Sequence, residues 1–176
     1  MLTAGAIYDI ITIDSRKGIE KMTIENMITA YVQNAFTHHY IIGIKDNGIV
    51  KACFTTSEIL PHIMKLATAS RGNGASVRFK PNNKQREYLK QNAERIENIC
   101  TVEELENRAE KVGKQKNRGI AFENLLHEKI GEAWKHNNTS FQTDGDITIN
   151  GIAYQIKFEQ STLCNEKQIN RLGMAV

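Results

Sequence analysis

The chain predicts an α+β protein, a mixed β-sheet flanked by helices. Three observations carry that reading. Two turns of the Asn-Gly type, at Asn47-Gly48 and Asn150-Gly151, each sit between β-branched apolar runs, which is the strongest short-range signal for a hairpin. Apolar residues recur at three-four spacing in several of the remaining segments. The longest such stripe stands shortly before the second hairpin.

Ala6 to Ile13 (AIYDIITI) is β-branched and predicts a strand, with Asp14 and Ser15 as caps for a polar helix or loop after it. From Thr23 to about Phe36, Ile24, Met27, Ile28, Tyr31, Val32 and Ala35 mark a helix with one core face. Tyr40 to Ile44 and Ile49 to Phe54 flank Asp46-Asn47-Gly48 as a hairpin. Helical spacing over Thr55 to Ala69 turns Ile59, Ile63 and Leu66 inward, with Pro61 in a first turn. Ser70 to Ser76 predicts a loop, and Val77 to Lys80 a short strand. A polar helix from Pro81 to about Ile99 comes next, then a helix from Val102 to about Val112 behind the capping pair Thr101 and Glu104. From Gly119 to about Lys135, Phe122, Leu125, Leu126, Ile130, Ala133 and Trp134 form the clearest amphipathic stripe. A last helix is expected over about Thr162 to Leu172.

At 176 residues with 40% hydrophobic content the chain can bury one good core, or one core and a small appended unit. A net charge of +3 is compatible with nucleic acid without implying it. Cys53, Cys100 and Cys164 lack any CxxC or Cys/His spacing, so neither a disulfide framework nor a zinc site is suggested; they read as reduced thiols of a cytoplasmic protein. No run of about 18 apolar residues appears, and no membrane association is expected. Gly72-Asn73-Gly74 lacks the Lys-Ser/Thr of a P-loop. His127 and His136 occur in no ligand spacing and read as solvent-facing or capping. His38-His39 reads as a cation pair at a helix C-terminus.

The second hairpin carries the chemistry. With Asn150-Gly151 as a two-residue turn, Ile149 faces Ile152 and Ile147 faces Tyr154, and Asp146 lies opposite Gln155. Strand alternation then sends Asp144, Asp146, Gln155 and Lys157 to one face and Ile147, Ile149, Tyr154 and Ile156 to the other. A carboxylate, an amide oxygen and an ammonium converge. The competing reading is a polar outer face on a half-buried sheet, with Asp144 paired to Lys157 across strands. Two clusters of cations could meet phosphates: Lys111, Lys114, Lys116 and Arg118, and more loosely Arg78, Lys80, Lys84 and Arg86. A solvated face is the bland alternative for both.

Asp146 followed by Gln155-Ile156-Lys157 resembles the active-site hairpin of the PD-(D/E)xK nuclease superfamily, whose second strand carries Glu-x-Lys or, in some branches, Gln-x-Lys. The Gln form is most similar to the Mrr-like restriction endonuclease branch. Arg118-Gly-Ile-Ala-Phe-Glu123 ahead of the apolar stripe resembles that superfamily's first helix, whose Glu leans toward a metal; Gly119 would let the helix approach the sheet closely.

The resemblance implies a restriction-endonuclease-like core over residues 113–176 and a Mg2+-dependent (or Mn2+-dependent) endonuclease acting on DNA, with RNA left open. It implies metal ligands Asp146, Gln155, the Ile156 carbonyl, Asp144 and Glu123, and Lys157 beside the attacking water. Residues 1–112 would be an α+β region that selects substrate or partner. Only nineteen residues come after Lys157, too few for the strand and helix the superfamily core adds there. Either the N-terminal strands complete the sheet or a second subunit of a homodimer does. The alternatives in function are a non-catalytic nucleic-acid-binding protein with a degenerate nuclease fold and a protein-interaction module.

Overall fold

The computed structural model describes residues 23–35, 38–67, 74–112, 117–130 and 145–171. The expected strand over Ala6–Ile13 lies outside them, as do Asp144, Lys114, Lys116 and His136. The elements are α1 (Ile24–Ala35), β1 (His39–Asp46), β2 (Ile49–Thr56), α2 (Leu60–Ile63), β3 (Lys65–Ala67), β4 (Ser76–Phe79) and α3 (Asn83–Asn92). After these stand β5 (Arg95–Thr101), α4 (Val102–Lys111), α5 (Arg118–Ile130), β6 (Ile147–Ile149), β7 (Ile152–Phe158), β8 (Ser161–Asn165) and α6 (Glu166–Arg171).

A mixed five-stranded sheet runs β5-β2-β1-β7-β6, and a smaller antiparallel sheet runs β3-β4-β8. The first hairpin forms as expected: Asp46 pairs with Ile49, and Asn47 and Gly48 both take positive φ (49° and 79°), the type I′ geometry that matches strand twist. β1 is the central strand. It pairs antiparallel with β2 and parallel with β7, setting Tyr40 beside Gln155 and Ile42 beside Lys157. N-terminal strands therefore complete the sheet of the second hairpin.

β1 is covered on both faces. Tyr40, Ile42 and Ile44 point to a core shared with Met27, Tyr31, Val77, Phe79, Leu89, Leu163 and Ile169, so α1 and the small sheet form one layer. Ile41 points to the other core, where Phe122, Leu125 and Leu126 of α5 and Leu105 of α4 meet Ile147, Tyr154, Ile156 and Phe158. Burying such side chains is worth about 1.5–3 kcal/mol each, so this central position dominates the stability of the sheet. Among the described residues no helix is long and apolar enough to cross a membrane.

Three expectations fail, each because tertiary pairing overrides local pattern. Thr55 to Ala69 does not form one helix: a 3-10 turn (Ser57–Ile59) and the four-residue α2 end at Met64, and Lys65–Ala67 pairs with β4 instead. The polar helix from Pro81 stops at Asn92, and Arg95–Thr101 becomes an edge strand on β2. The last helix is only Glu166–Arg171, because Ser161–Asn165 joins β4 as β8. The cap expected at Thr101 forms through one of its two bonds, and a complete capping box arises at a place where none was expected. Asn82 and Gln85 exchange the reciprocal bonds of a capping box at α3, and the Glu104 amide donates to Thr101 Oγ1 at α4.

Candidate active site

The second hairpin adopts the expected register, Ile147 with Tyr154 and Ile149 with Ile152, around Asn150 and Gly151 at φ 50° and 80°. The turn before β6 decides where Asp146 goes. Gly145 has φ +76°, and a Cβ there would lie 2.8 Å from the Tyr154 carbonyl oxygen, so only glycine fits. The chain then turns so that the Asp146 amide donates to that same Tyr154 oxygen at 2.8 Å, while Asp146 Oδ2 accepts from the Ile156 amide at 2.8 Å. The carboxylate thus takes the ladder position beyond the end of β6, and brackets Gln155 rather than simply facing it.

Gln155 and Lys157 project to the face shared with α1 and β8. It is not a solvent face. Both are partly buried, Tyr40 and Ile42 lie beside them on β1, and the Tyr31 hydroxyl donates to Gln155 Oε1 at a long 3.5 Å. Burial depresses the Lys157 ammonium below the ordinary lysine range, against the opposing charges of Asp146, Cys164 and Glu123. Burial likewise raises Asp146, while the Ile156 amide, Lys157 and His127 pull it back down. Asp146 and Lys157 therefore bear on one another electrostatically, and His127 of α5 also bears on Asp146. Tyr31 and Tyr40 are both pushed well up, by burial first and then by their neighbours, which include Cys164 and Asp146. The Tyr40 hydroxyl is fully buried and has no hydrogen-bond partner among the described residues.

Glu123 sits partly buried on α5, close enough for its charge to bear on Lys157. Asp146 and Gln155 are adjacent through the hydrogen bonds above, and the charges of Asp146 and Glu123 both bear on Lys157. Asp144 lies outside the described residues. The cations divide. Arg118 makes a bidentate pair with Glu106 (2.7 and 3.0 Å), and Arg86 binds the largely buried Glu159 at 3.0 Å, so internal carboxylates already hold both. Arg78, Lys80, Lys84 and Lys111 are exposed.

Three smaller expectations change. Gly119 is exposed and permits no close approach; that role belongs to Gly43, where a Cβ would lie 2.5 Å from Phe158 and 2.7 Å from Phe122. His39 opens β1 and packs edge-on against Tyr154 instead of ending a helix. His127 is partly buried near Asp146 and not solvent-facing. Spacing missed Tyr31 and Tyr40, whose pattern is that of core residues. The parallel pairing of β1 with β7 brings Tyr40 beside Gln155, and the packing of α1 on that face brings Tyr31.

The oxygen donors here suit a hard divalent cation: the Asp146 carboxylate, the Gln155 amide oxygen and the Ile156 carbonyl, which opens on the same edge of β7 as its amide because backbone groups alternate along a strand. Tyr40's unpartnered hydroxyl adds a donor for a water or an anion at that place. Among the described residues no group of three or more His, Cys, Asp or Glu side chains could hold a metal. The donor set is thus built on one carboxylate, one amide and one carbonyl, a weakly charged combination. No protein-family model, curated protein or solved structure matches this chain.

Proposed function

We propose that the protein is a metal-dependent endonuclease that hydrolyses phosphodiester bonds, with DNA as the substrate and Asp146, Gln155, Lys157 and Glu123 as its working residues, on a restriction-endonuclease-like core. The observation that carries this reading is Lys157, a lysine whose ammonium burial destabilises, placed within electrostatic reach of Asp146 and Glu123. A solvent-facing hairpin has no need of such an arrangement. A lysine whose ammonium form is destabilised by burial gives up its proton more readily than an exposed one, which suits a group placed beside an attacking water.

Asp146, Gln155 and the Ile156 carbonyl would hold Mg2+ or Mn2+, which supplies charge neutralisation and an acidified water when bound. The chain's own groups do the rest. The Ile156 amide fixes the Asp146 carboxylate, and Tyr31 orients the Gln155 amide so that its oxygen faces the site. Lys157 orients the attacking water and stabilises charge that develops on the phosphoryl oxygens. With Gln155 in place of a second carboxylate, metal affinity should be low and activity should need millimolar-scale metal, as few-charge sites do.

A panel of duplex, single-stranded and branched DNA incubated with Mg2+ or Mn2+ tests this. Cleavage by the wild-type protein should fall by roughly 100-fold or more in Asp146→Ala and in Lys157→Ala, in the range expected for general acid-base and electrostatic groups. No cleavage by the wild type, or full cleavage by both variants, would remove the reading. The low carboxylate count favours one second reading, a nucleic-acid-binding protein without catalysis. Its signature is tight binding, no metal-dependent cleavage, and a neutral Lys157→Ala.

A further inference from the structure

Among the described residues the cations separate into two populations. Lys45, Lys51, Arg86, Lys90, Arg95, Arg108 and Arg118 each hold a carboxylate. Lys65, Arg78, Lys80 and Lys84 are exposed and pair with none among the described residues, and the same holds for Lys111, Lys129, Lys167 and Arg171 on other elements. Strand pairing sets Lys65 beside Arg78 on the outer face of the small sheet, and the chain that leaves β4 carries Lys80 and then Lys84 at the start of α3.

β3 pairs with β4 so that Lys65 lies directly opposite Arg78, and β4 pairs with β8 so that Thr162 lies opposite Arg78 on the other side. Lys80 is two residues beyond Arg78, and Lys84 stands in the first turn of α3.

Three local placements here work against stability or regularity. Like charges directly opposite on neighbouring strands repel. A lysine in the first turn of a helix faces the positive end of the helix dipole, and α3 has no acidic residue there to offset it. The β4·β8 register shifts between Val77 and Arg78, leaving Leu163 of β8 without a partner, and the Arg78 Nε donates to Ser76 Oγ at 3.2 Å. A structural role does not call for any of these.

We infer that the outer face of the β3-β4-β8 sheet, with Lys65, Arg78, Lys80 and Lys84, is a docking surface for the phosphate backbone of duplex DNA. It rests on the nuclease reading for its choice of partner. The site lies on the inner side of this sheet, where Cys164 of β8 bears on Lys157, so the surface would grip phosphates away from the bond that is cut. The chemistry favours a polyanion read by charge alone. Thr162 is the neutral member of the row, and the large exposed apolar side chains Ile96, Val112, Ile120 and Ile152 lie on other elements, which disfavours a lipid surface or an apolar peptide anchor.

Fluorescence anisotropy of a labelled duplex, with EDTA present and salt varied, tests this without any cleavage step. Removing one phosphate-binding cation should reduce the slope of log Kobs against log salt by about 0.9. Lys65→Ala/Arg78→Ala and Lys80→Ala/Lys84→Ala should each flatten it by about 1.8 on that basis. Arg108→Ala/Lys129→Ala, the same charge change on the α4-α5 layer, should leave it unchanged. Unfolding temperatures of the first two variants should equal or exceed the wild type, because repulsion is relieved.

An unchanged slope in both test variants, an equal loss in the control, no duplex binding by the wild type, or tighter binding of polyglutamate or anionic vesicles than of duplex would overturn the inference. Metal-dependent cleavage with an unchanged slope refutes the docking surface alone. A flattened slope without any cleavage by the wild type refutes the hydrolysis alone.

Discussion

Two phenols look onto the Asp146 carboxylate, and only Tyr31 has a partner in Gln155. A buried hydroxyl left without a hydrogen bond costs about 1–3 kcal/mol. Tyr40→Phe keeps the ring and removes only that oxygen, so it should raise stability by about 1 kcal/mol in urea unfolding while lowering cleavage by roughly tenfold. A variant that is both less stable and fully active would show that the hydroxyl has no role at the site.

Glu106 gives a second test at this scale. Arg118 and then Lys45 hold its carboxyl down to about 2, from an ordinary value of 4.5. A depressed folded-state pKa contributes stability that is fully present above the unfolded value and is lost as pH falls toward the folded one. Glu106→Gln should therefore be less stable than wild type at neutral pH, with the gap closing between about pH 4.5 and about 2. Thermal unfolding across that range measures it, and a gap independent of pH would show that the pair carries no such linkage.

At the scale of elements, β1 is the strand on which the site depends, and Gly43 is where it is most tightly held. The rings of Phe122 and Phe158 lie 5.1 Å apart across the place a Cβ would occupy. Glycine in a strand interior normally loses about 0.5–1 kcal/mol relative to alanine. Here the sign should reverse, because overpacking a full core costs about 1–3 kcal/mol. Gly43→Ala should lower the urea midpoint and, through β7, disturb cleavage; a stabilised Gly43→Ala would contradict the close approach of α5 to β1.

Both hairpins are readable in the sequence because their turns are local. Asn-Gly supplies positive φ at both central residues, and that requirement is met within two residues of chain. Helices α1 and α5 are readable for the same reason, since their stripes recur every three or four residues. β3, β5 and β8 are not. They are short or polar-edged, and what makes Arg95–Thr101 a strand is β2 lying beside it.

For the whole molecule, the decisive fact is that one sheet draws strands from both ends of the chain. β7 keeps Ile156 and Phe158 covered only while β1 lies against it and α5 closes the other face. A fragment of residues 113–176 should therefore show no cooperative urea transition, whereas the full chain should. A cooperatively folding fragment would mean that the hairpin and α5 make a core without β1. The same dependence separates what could be foreseen at the site. Gln155 and Lys157 share a face because strand alternation sets it, whereas Asp146 is placed by the Gly145 turn and the Ile156 amide beyond the end of β6. Tyr40 is invisible there because it reaches the site only through the parallel pairing of strands more than a hundred residues apart, and Tyr31 because only the packing of α1 brings it to Gln155.

The sequence by itself determined the two turns, the two principal amphipathic helices and the common face of Gln155 and Lys157, since each depends on contacts a few residues long. Tertiary structure alone decided that this face is buried under α1 and β8, that Arg86 and Arg118 are taken by internal carboxylates, and that four other cations are left exposed on one surface. Burial and ion pairing are properties of neighbours in space, and no local period along the chain records which neighbours those will be.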